Sequence, residues 1–503
     1  MSENSYRTIL RSSSVIGAAQ LVNIVTNLIK IKFVAVLLGA AGVGLAGLFG
    51  SLMQTASIIA GLGFATVGTR QIAAANGEDD AATMARVRRS LMWGTLILAL
   101  VGGAAVWALR GWLADVALGD PARAGEVGWL ALGVALTIAA GSQSALLTGL
   151  RRVRDLAMLQ VAAGVMAAII GVLAIARWGE AGVIVMVLVT PAVLFLLGHV
   201  FVARLPRAAV ARLSVGEFTK EFRLLAALGF AVMISALAGV LSQMLVRVLV
   251  QQELGSSALG HFQAAFTISI TYLGFVLAAM GTDYFPRLSA AISEPQTATR
   301  LVNEQTEVAL LLCGPILVTL IGVAPWVVPL LYSADFAPSV DVLRGLLLAD
   351  ILKVISWPLG FVLLASGAGR AYFATELIGA SVFVGVTYAL LPQWGVSGAG
   401  LGGIALYAIY LPVVLWLARG RLGEFSWSAA VIWQAVLVLA AALLVLSASQ
   451  GSNVAGGVAG LVLGAVTGLW SLLRISHMAE LGGRLAVIGQ MGQRLRSWLK
   501  PRM

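Results

Sequence analysis

Arg177-Trp178-Gly179-Glu180-Ala181-Gly182 leads into an apolar run over 182–203, and Gln393-Trp394-Gly395-Val396-Ser397-Gly398 leads into another over 398–418. The Trp, the first Gly and the last Gly of the two stretches match at an offset of 216 residues. The same offset carries Arg154 onto Arg370, Gly44 onto Gly260, Ser51 onto Thr267 and Thr55 onto Thr271. Agreement on one offset points to an internal repeat, and repeats of this size define an architecture. Each half holds six apolar runs of spanning length, and six is even. The halves therefore enter the membrane with the same orientation, as parallel repeats with a substrate site expected at their interface.

Working outward, a helix needs about 20 apolar residues to cross the hydrocarbon core. The chain offers fourteen such runs, so the expected fold class is an all-α polytopic membrane protein of about 14 transmembrane helices. Its expected parts are a cytoplasmic N-terminus (1–13), an N-lobe of six spans (14–203) and a cytoplasmic linker (204–223). A C-lobe of six spans (224–418), an added hairpin (429–473) and a basic amphipathic tail (474–503) complete the chain. Met1 to Ser14 is polar, so no cleavable leader is expected before the first span. Gly456, Gly460, Gly464 and Gly468 lie along one face of the last span and suit close helix packing or a flat lipid surface.

Composition excludes the alternatives. Of 503 residues, 60% are hydrophobic and only 11% charged, too few to coat about three soluble domains. The net charge of +11 is not gathered in one nucleic-acid-binding module. Basic residues concentrate instead on alternate connections: Arg86, Arg88 and Arg89; Arg151, Arg152 and Arg154; Arg204, Arg207, Arg212, Lys220 and Arg223; Arg287 and Arg300; Arg370; and Arg419 and Arg421. The other connections carry only Arg110, Arg123 and Arg177, with Arg344 near the edge of the tenth span, and hold acids such as Asp115, Asp120, Glu126 and Glu180. The positive-inside rule then puts both termini in the cytoplasm. Cys313 is a single cysteine in an apolar run, expected to pack without a disulfide.

Charge at membrane depth costs about 2.5–3.5 kcal/mol on insertion scales, so intramembrane polar groups are the candidate site. Gln20, Asn23, Asn27 and Lys30 share one helical face of the first span, with Lys32 turned away from it. Ser235, Gly239, Gln243 and Arg247 form the matching stripe of the seventh span. Lys30, Lys32 and Arg247 are the candidate ligands of a phosphate or diphosphate, unless they snorkel to the interface. Gln20, Asn23, Asn27 and Gln243 are candidates for lining a hydrated route. Asp350 and Lys353, spaced i, i+3, suit a mutually neutralised pair or an ion-coupling pair. Glu376 lies near the start of span eleven, and Asp283 and Arg287 flank Pro286 as a gate, a hinge or an ordinary helix end. His199, His261 and His477 are scattered, and no G-x-x-x-x-G-K loop occurs, so neither metal nor cofactor is expected and direct ATP use is argued against. The short outer connections leave no room for a catalytic domain.

Three stretches carry a family likeness: LLGAAGVGLAGLFGSLMQTASIIAGLGFATVGTRQ (37–71), GTDYFPRLS (281–289) and LLLADILKVISWPLGFVLLASGAG (346–369). They resemble bacterial polysaccharide repeat-unit flippases of the O-antigen translocase type, in the multidrug/oligosaccharidyl-lipid/polysaccharide exporter superfamily. The resemblance implies two six-helix lobes that rock by alternating access. It implies an undecaprenyl-diphosphate-linked oligosaccharide as substrate, turned from the cytoplasmic to the periplasmic leaflet of the cell inner membrane for O-antigen, exopolysaccharide or capsule assembly. Membrane lipids, a polysaccharide polymerase and export machinery are the partners it implies, with no nucleic acid. A lipid II flippase, a cation-coupled multidrug exporter and a membrane glycan polymerase stand as alternatives. The polar stripes ending in Lys and Arg weigh against a binder of cationic drugs.

Overall fold

The computed structural model describes residues 3–77, 81–205, 214–423 and 425–478, and among them there is helix and no strand. The elements are α1 (Glu3–Gly61), α2 (Phe64–Gly77), α3 (Ala81–Ala108), α4 (Arg110–Leu118), α5 (Ala124–Gly149), α6 (Val153–Trp178) and α7 (Gly182–Ala203). After them come α8 (Val215–Ala291), α9 (Pro295–Leu331), α10 (Ser339–Ala365), α11 (Gly369–Trp394), α12 (Ser397–Leu422), α13 (Ala429–Gly451) and α14 (Asn453–Met478). Helix is what the bilayer demands, because lipid offers no partner for exposed backbone N–H and C=O groups.

Eleven helical stretches are long and apolar enough to cross a membrane. Three of them are double: α1 breaks at Gly39, α6 and α7 meet at a short turn over Gly179–Ala181, and α8 breaks at Gly255. Fourteen crossings result among the described residues, as expected from the sequence. The chain is a multi-pass membrane protein.

The internal repeat is written into the backbone. Gly39 (φ 64°, ψ −161°) and Gly255 (φ 83°, ψ 178°) adopt a conformation essentially confined to glycine, and they are 216 residues apart. Gly179 and Gly395 share a positive φ at the same offset, as do Arg151 and Gly367. The halves differ where α1 gives way to α2: Leu62 and Gly63 have positive φ, while α8 runs unbroken through the corresponding Ala278 and Ala279.

The chain divides into two compact units, one running to Gln263 with Leu331–Ser333, the other comprising Ala264–Leu330 and the chain from Ala334. In the first unit Gly44 crosses Gly260. A Cβ on Gly44 would lie 2.5 Å from the Ser256 carbonyl oxygen and 2.7 Å from the Gly260 nitrogen. A salt-bridge cluster ties its connections, with Arg123 Nη2 donating to Glu180 Oε1 at 2.6 Å beside Asp120 and Glu126. The stretch before this cluster forms the short helix α4, Arg110–Leu118.

The second unit is built around Tyr284, Leu288, Leu359, Val362, Tyr410 and Val414, all buried together. α14 packs its glycines on α9: Gly460 approaches Gly322, and Gly464 approaches Thr319. Close helix packing, rather than a lipid-facing strip, is therefore the use of that face. Arg474 Nε donates to the buried Glu307 Oε1 at 2.8 Å and fastens the same two helices. Asn303 on α9 donates to the Ser426 carbonyl at 3.1 Å and accepts from the Ser428 backbone N–H at 2.7 Å, fixing the start of α13. The linker expected over 204–223 is helical from Val215 onward. The tail expected from Arg474 continues α14 to Met478, and its remainder, 479–503, lies outside the described residues.

Candidate functional site

The first limb of α1 brings Asn23, Asn27 and Lys30 to one face because the spacings of four and three follow the helical period. That face looks onto a cavity of about 260 Å³ closed by α6 and α7, with Thr26, Gln160 and Thr190 completing its polar lining. Room for it comes from small residues on α6: Gly164, Ala167 and Ala168. A Cβ at Gly164 would come within 2.6 Å of Asn23 Oδ1. Asn23 Oδ1 is buried with no hydrogen-bond partner, a state that costs about 1–3 kcal/mol when nothing compensates it. Among the described residues Lys30 has neither a carboxylate within 4.0 Å nor a hydrogen-bond acceptor. A cation, an amide oxygen without a partner and two threonine hydroxyls thus line one cavity.

Of the three expected diphosphate ligands, Lys30 lines this cavity and Lys32 and Arg247 do not. Lys32 is half-buried two positions on and is absent from the lining, as is Gln20, which is exposed. Arg247 is buried in the first unit and donates from Nε to Gln263 Oε1 at 2.8 Å. Gln243, one turn earlier, is half-buried. Gln263 stands where the repeat places Gly47, and a Cβ on Gly47 would run into its side chain. Arg247 is thus held by a residue on the partner limb of its own hairpin.

The second unit carries a different polar cluster. Asp350 on α10 is buried and accepts a 2.6 Å hydrogen bond from Ser269 Oγ on α8. Lys353 makes no ion pair with Asp350 within 4.0 Å; its Nζ lies 5.9 Å from the ring centre of Tyr407 on α12. The direct pairing that the i, i+3 spacing allows is not made. Glu376 on α11 accepts from Tyr410 Oη at 2.9 Å, and Tyr372 also hydrogen-bonds to it. Under the repeat Glu376 occupies the position of Gln160 and Tyr410 that of Leu194, both of which line the Lys30 cavity. The second half therefore carries a carboxylate and a tyrosine where the first half has an amide and a leucine.

Asp283 and Arg287 form an exposed i, i+4 ion pair at 3.1 Å, with Pro286 inside a helix that continues to Ala291. An exposed pair of this kind is worth about 0–1 kcal/mol. No group of three or more His, Cys, Asp or Glu that would hold a metal occurs among the described residues.

Sequence reasoning missed Gln160, Thr190, Ser269, Gln263 and the tyrosines at 372, 407 and 410. Most are isolated polar residues in apolar spans, whereas Tyr407 and Tyr410, spaced i, i+3, share one face of α12. That spacing and the offset of 216 linking Gln160 to Glu376 were the available signals.

The model of the family described as "Polysaccharide biosynthesis protein" matches residues 9–292. The curated "Lipid III flippase" of Escherichia coli (strain K12) is 24% identical over 421 residues, covering 80% of this chain and 97% of that protein. A lipid II flippase solved in an inward closed conformation superposes with a TM-score of 0.69 at 11% identity, covering 91% of this chain and 98% of its own. An inward-facing multidrug resistance MATE family transporter of the MOP superfamily gives a TM-score of 0.66 at 16% identity, covering 82% of this chain and 98% of its own. The fold expected from the sequence is thus shared by solved flippases and exporters, and the chain belongs to the polysaccharide biosynthesis protein family.

Proposed function

We propose that this chain flips an undecaprenyl-diphosphate-linked oligosaccharide from the cytoplasmic to the periplasmic leaflet of the inner membrane by alternating access, without breaking a bond. The observation that carries the reading is the Lys30 cavity. Its lone cation suits a phosphate oxygen, and Asn23, Asn27, Gln160 and Thr190 suit sugar hydroxyls. At about 260 Å³ it is smaller than a typical ligand pocket of about 300–1,000 Å³, so it grips the polar joint rather than the whole substrate. The long apolar tail needs no pocket, because the bilayer solvates it.

Lys32 and Arg247 contribute positive field along the route in this reading. Asp350, Lys353 and Glu376 serve as a gating or ion-coupling group, in keeping with three ionisable residues held at depth by hydroxyl partners. The membrane potential, worth about 2.3 kcal/mol per charge per 100 mV, is an adequate drive. The basic connections support a cytoplasmic position for both termini, and a polymerase and export machinery would receive the product. The family and the name of the Escherichia coli relative support a lipid-linked sugar substrate.

The test is a deletion strain whose lipid-linked repeat units are labelled by membrane-impermeant reagents. Units trapped on the cytoplasmic face are expected. Units accumulating on the outer face would contradict flipping and favour a polymerase.

A further inference from the structure

We propose that Asp350 is the seat of one exchangeable proton in the second unit, so that the cation its polar cluster takes up and releases is a proton rather than a metal ion. Two carboxyl groups, Asp350 on α10 and Glu376 on α11, share this cluster with one ammonium, Lys353, and with Tyr372, Tyr407 and Tyr410. From the other helices, α8 faces Asp350 with Ser269, α9 sets the thiol of Cys313 near it, and α13 has no ionisable residue. Fully ionised, the group would carry one uncompensated negative charge within a membrane span, where a charge costs about 2.5–3.5 kcal/mol. Binding one proton cancels it.

Hydrogen bonds decide which carboxyl takes that proton. Glu376 accepts from Tyr410 Oη at 2.9 Å and is bonded to Tyr372 as well. Two phenol O–H donors suit a carboxylate, and a proton on Glu376 would set its own O–H against one of them. Asp350 is only 5% exposed and meets one hydroxyl, Ser269 Oγ at 2.6 Å. A serine hydroxyl rotates to suit its partner, donating to a carboxylate or accepting from a carboxylic acid. Asp350 therefore gains and loses a proton without losing its contact. Lys353 makes no ion pair with either carboxyl within 4.0 Å and hydrogen-bonds to Tyr407. A hard metal cation would meet the same charge but gathers about six or more oxygen ligands, and the phenol hydrogens already point at Glu376. The seat of the proton holds whatever the chain carries, whereas its use as the driving ion rests on the flipping reading.

Infrared spectroscopy of the purified full-length protein in lipid vesicles reads the C=O stretch of a protonated carboxylic acid with no substrate present. At neutral pH the wild type is expected to show one such band, shifted in heavy water. D350N should lose it, and so should E376Q, because Asp350 and Lys353 then balance each other. S269A should shift the band and Y410F should leave it in place. K353M should gain a second band, since both carboxyls must then be protonated. A wild type without the band, a band moved by Y410F and not by S269A, or a K353M protein with no added band overturns the proposal. Loss of the band on adding sodium overturns it too, and assigns the cluster to a metal cation. Should a charge variant not fold, S269A and Y410F, each lacking a single hydroxyl, still decide. In vesicles that flip the lipid-linked sugar, an imposed pH gradient should change the rate severalfold in the wild type and leave D350N unaffected. A wild-type rate indifferent to the gradient overturns the driving role, while no flipping at all contradicts the flipping reading and leaves the infrared result standing.

Discussion

Gly44 and Gly260 are 216 residues apart in sequence and cross with their backbones in contact. Each is the other's counterpart in the repeat, so the crossing joins equivalent points of two related helical hairpins. A side chain at either position has nowhere to go, because the atoms it meets are carbonyl oxygens and backbone nitrogens rather than flexible side chains. Replacing Gly260 by Ala is expected to cost about 1–3 kcal/mol through overpacking. A lowered Tm of the purified protein reads this out. Gly50 on the same limb has open space around it, so G50A should leave Tm unchanged or slightly raised.

Glu307 and Arg474 hold α14 against α9. The carboxylate is largely buried and the guanidinium partly exposed, with 10% and 41% of the side chains accessible. E307A leaves the more exposed partner to water, whereas R474A strands a buried carboxylate. R474A is therefore expected to be the more damaging, by about 1–3 kcal/mol. The double variant should recover part of that loss, which thermal unfolding of all four proteins measures. A double variant as unstable as the sum of the singles would mean that the pair is not coupled.

Asp350 depends on Ser269 for its short hydrogen bond. S269A and D350A should couple in a double-mutant cycle by about 0.5–3 kcal/mol, because each removes the other's partner. Lys353 makes no direct ion pair with Asp350 and packs near Tyr407 instead. Y407F is consequently expected to perturb transport in the same direction as K353M, with a small further loss when the two are combined. Independent, additive losses in transport rate would separate Lys353 from Tyr407.

Much of this was legible beforehand. Apolar runs of spanning length define the helices because a bilayer forbids other backbone solutions, and the matched Trp-Gly loops at Gly179 and Gly395 expose the repeat. The Asn23, Asn27 and Lys30 face was readable because one helix supplies all three at helical spacing. What the sequence hid depends on packing between helices. Gln160 and Thr190 reach the cavity from α6 and α7, and nothing local marks them. The short i, i+3 spacing of Asp350 and Lys353 allowed a pair that Ser269 and Tyr407 divert. Arg247 falls on a stripe that points toward a route in a helical-wheel view, yet Gln263 on the next limb takes its guanidinium. The break at Gly255, within the polar stretch Gln251-Gln252-Glu253-Leu254-Gly255-Ser256-Ser257, sets that encounter; the stretch marks a connection but not which residues meet across it.

Lys30 is where the account is most exposed. Proteoliposomes containing a fluorescent undecaprenyl-diphosphate oligosaccharide, with quenching of outer-leaflet label, measure flipping directly. Wild-type protein is predicted to equilibrate the label between leaflets, K30A to reduce the rate by about tenfold or more, and K30R to retain much of it, as loss of one charge-assisted phosphate contact worth about 1.5–3 kcal/mol requires. Flipping by K30A at the wild-type rate, with equal protein in the vesicles, would contradict the assignment of this cavity to the diphosphate.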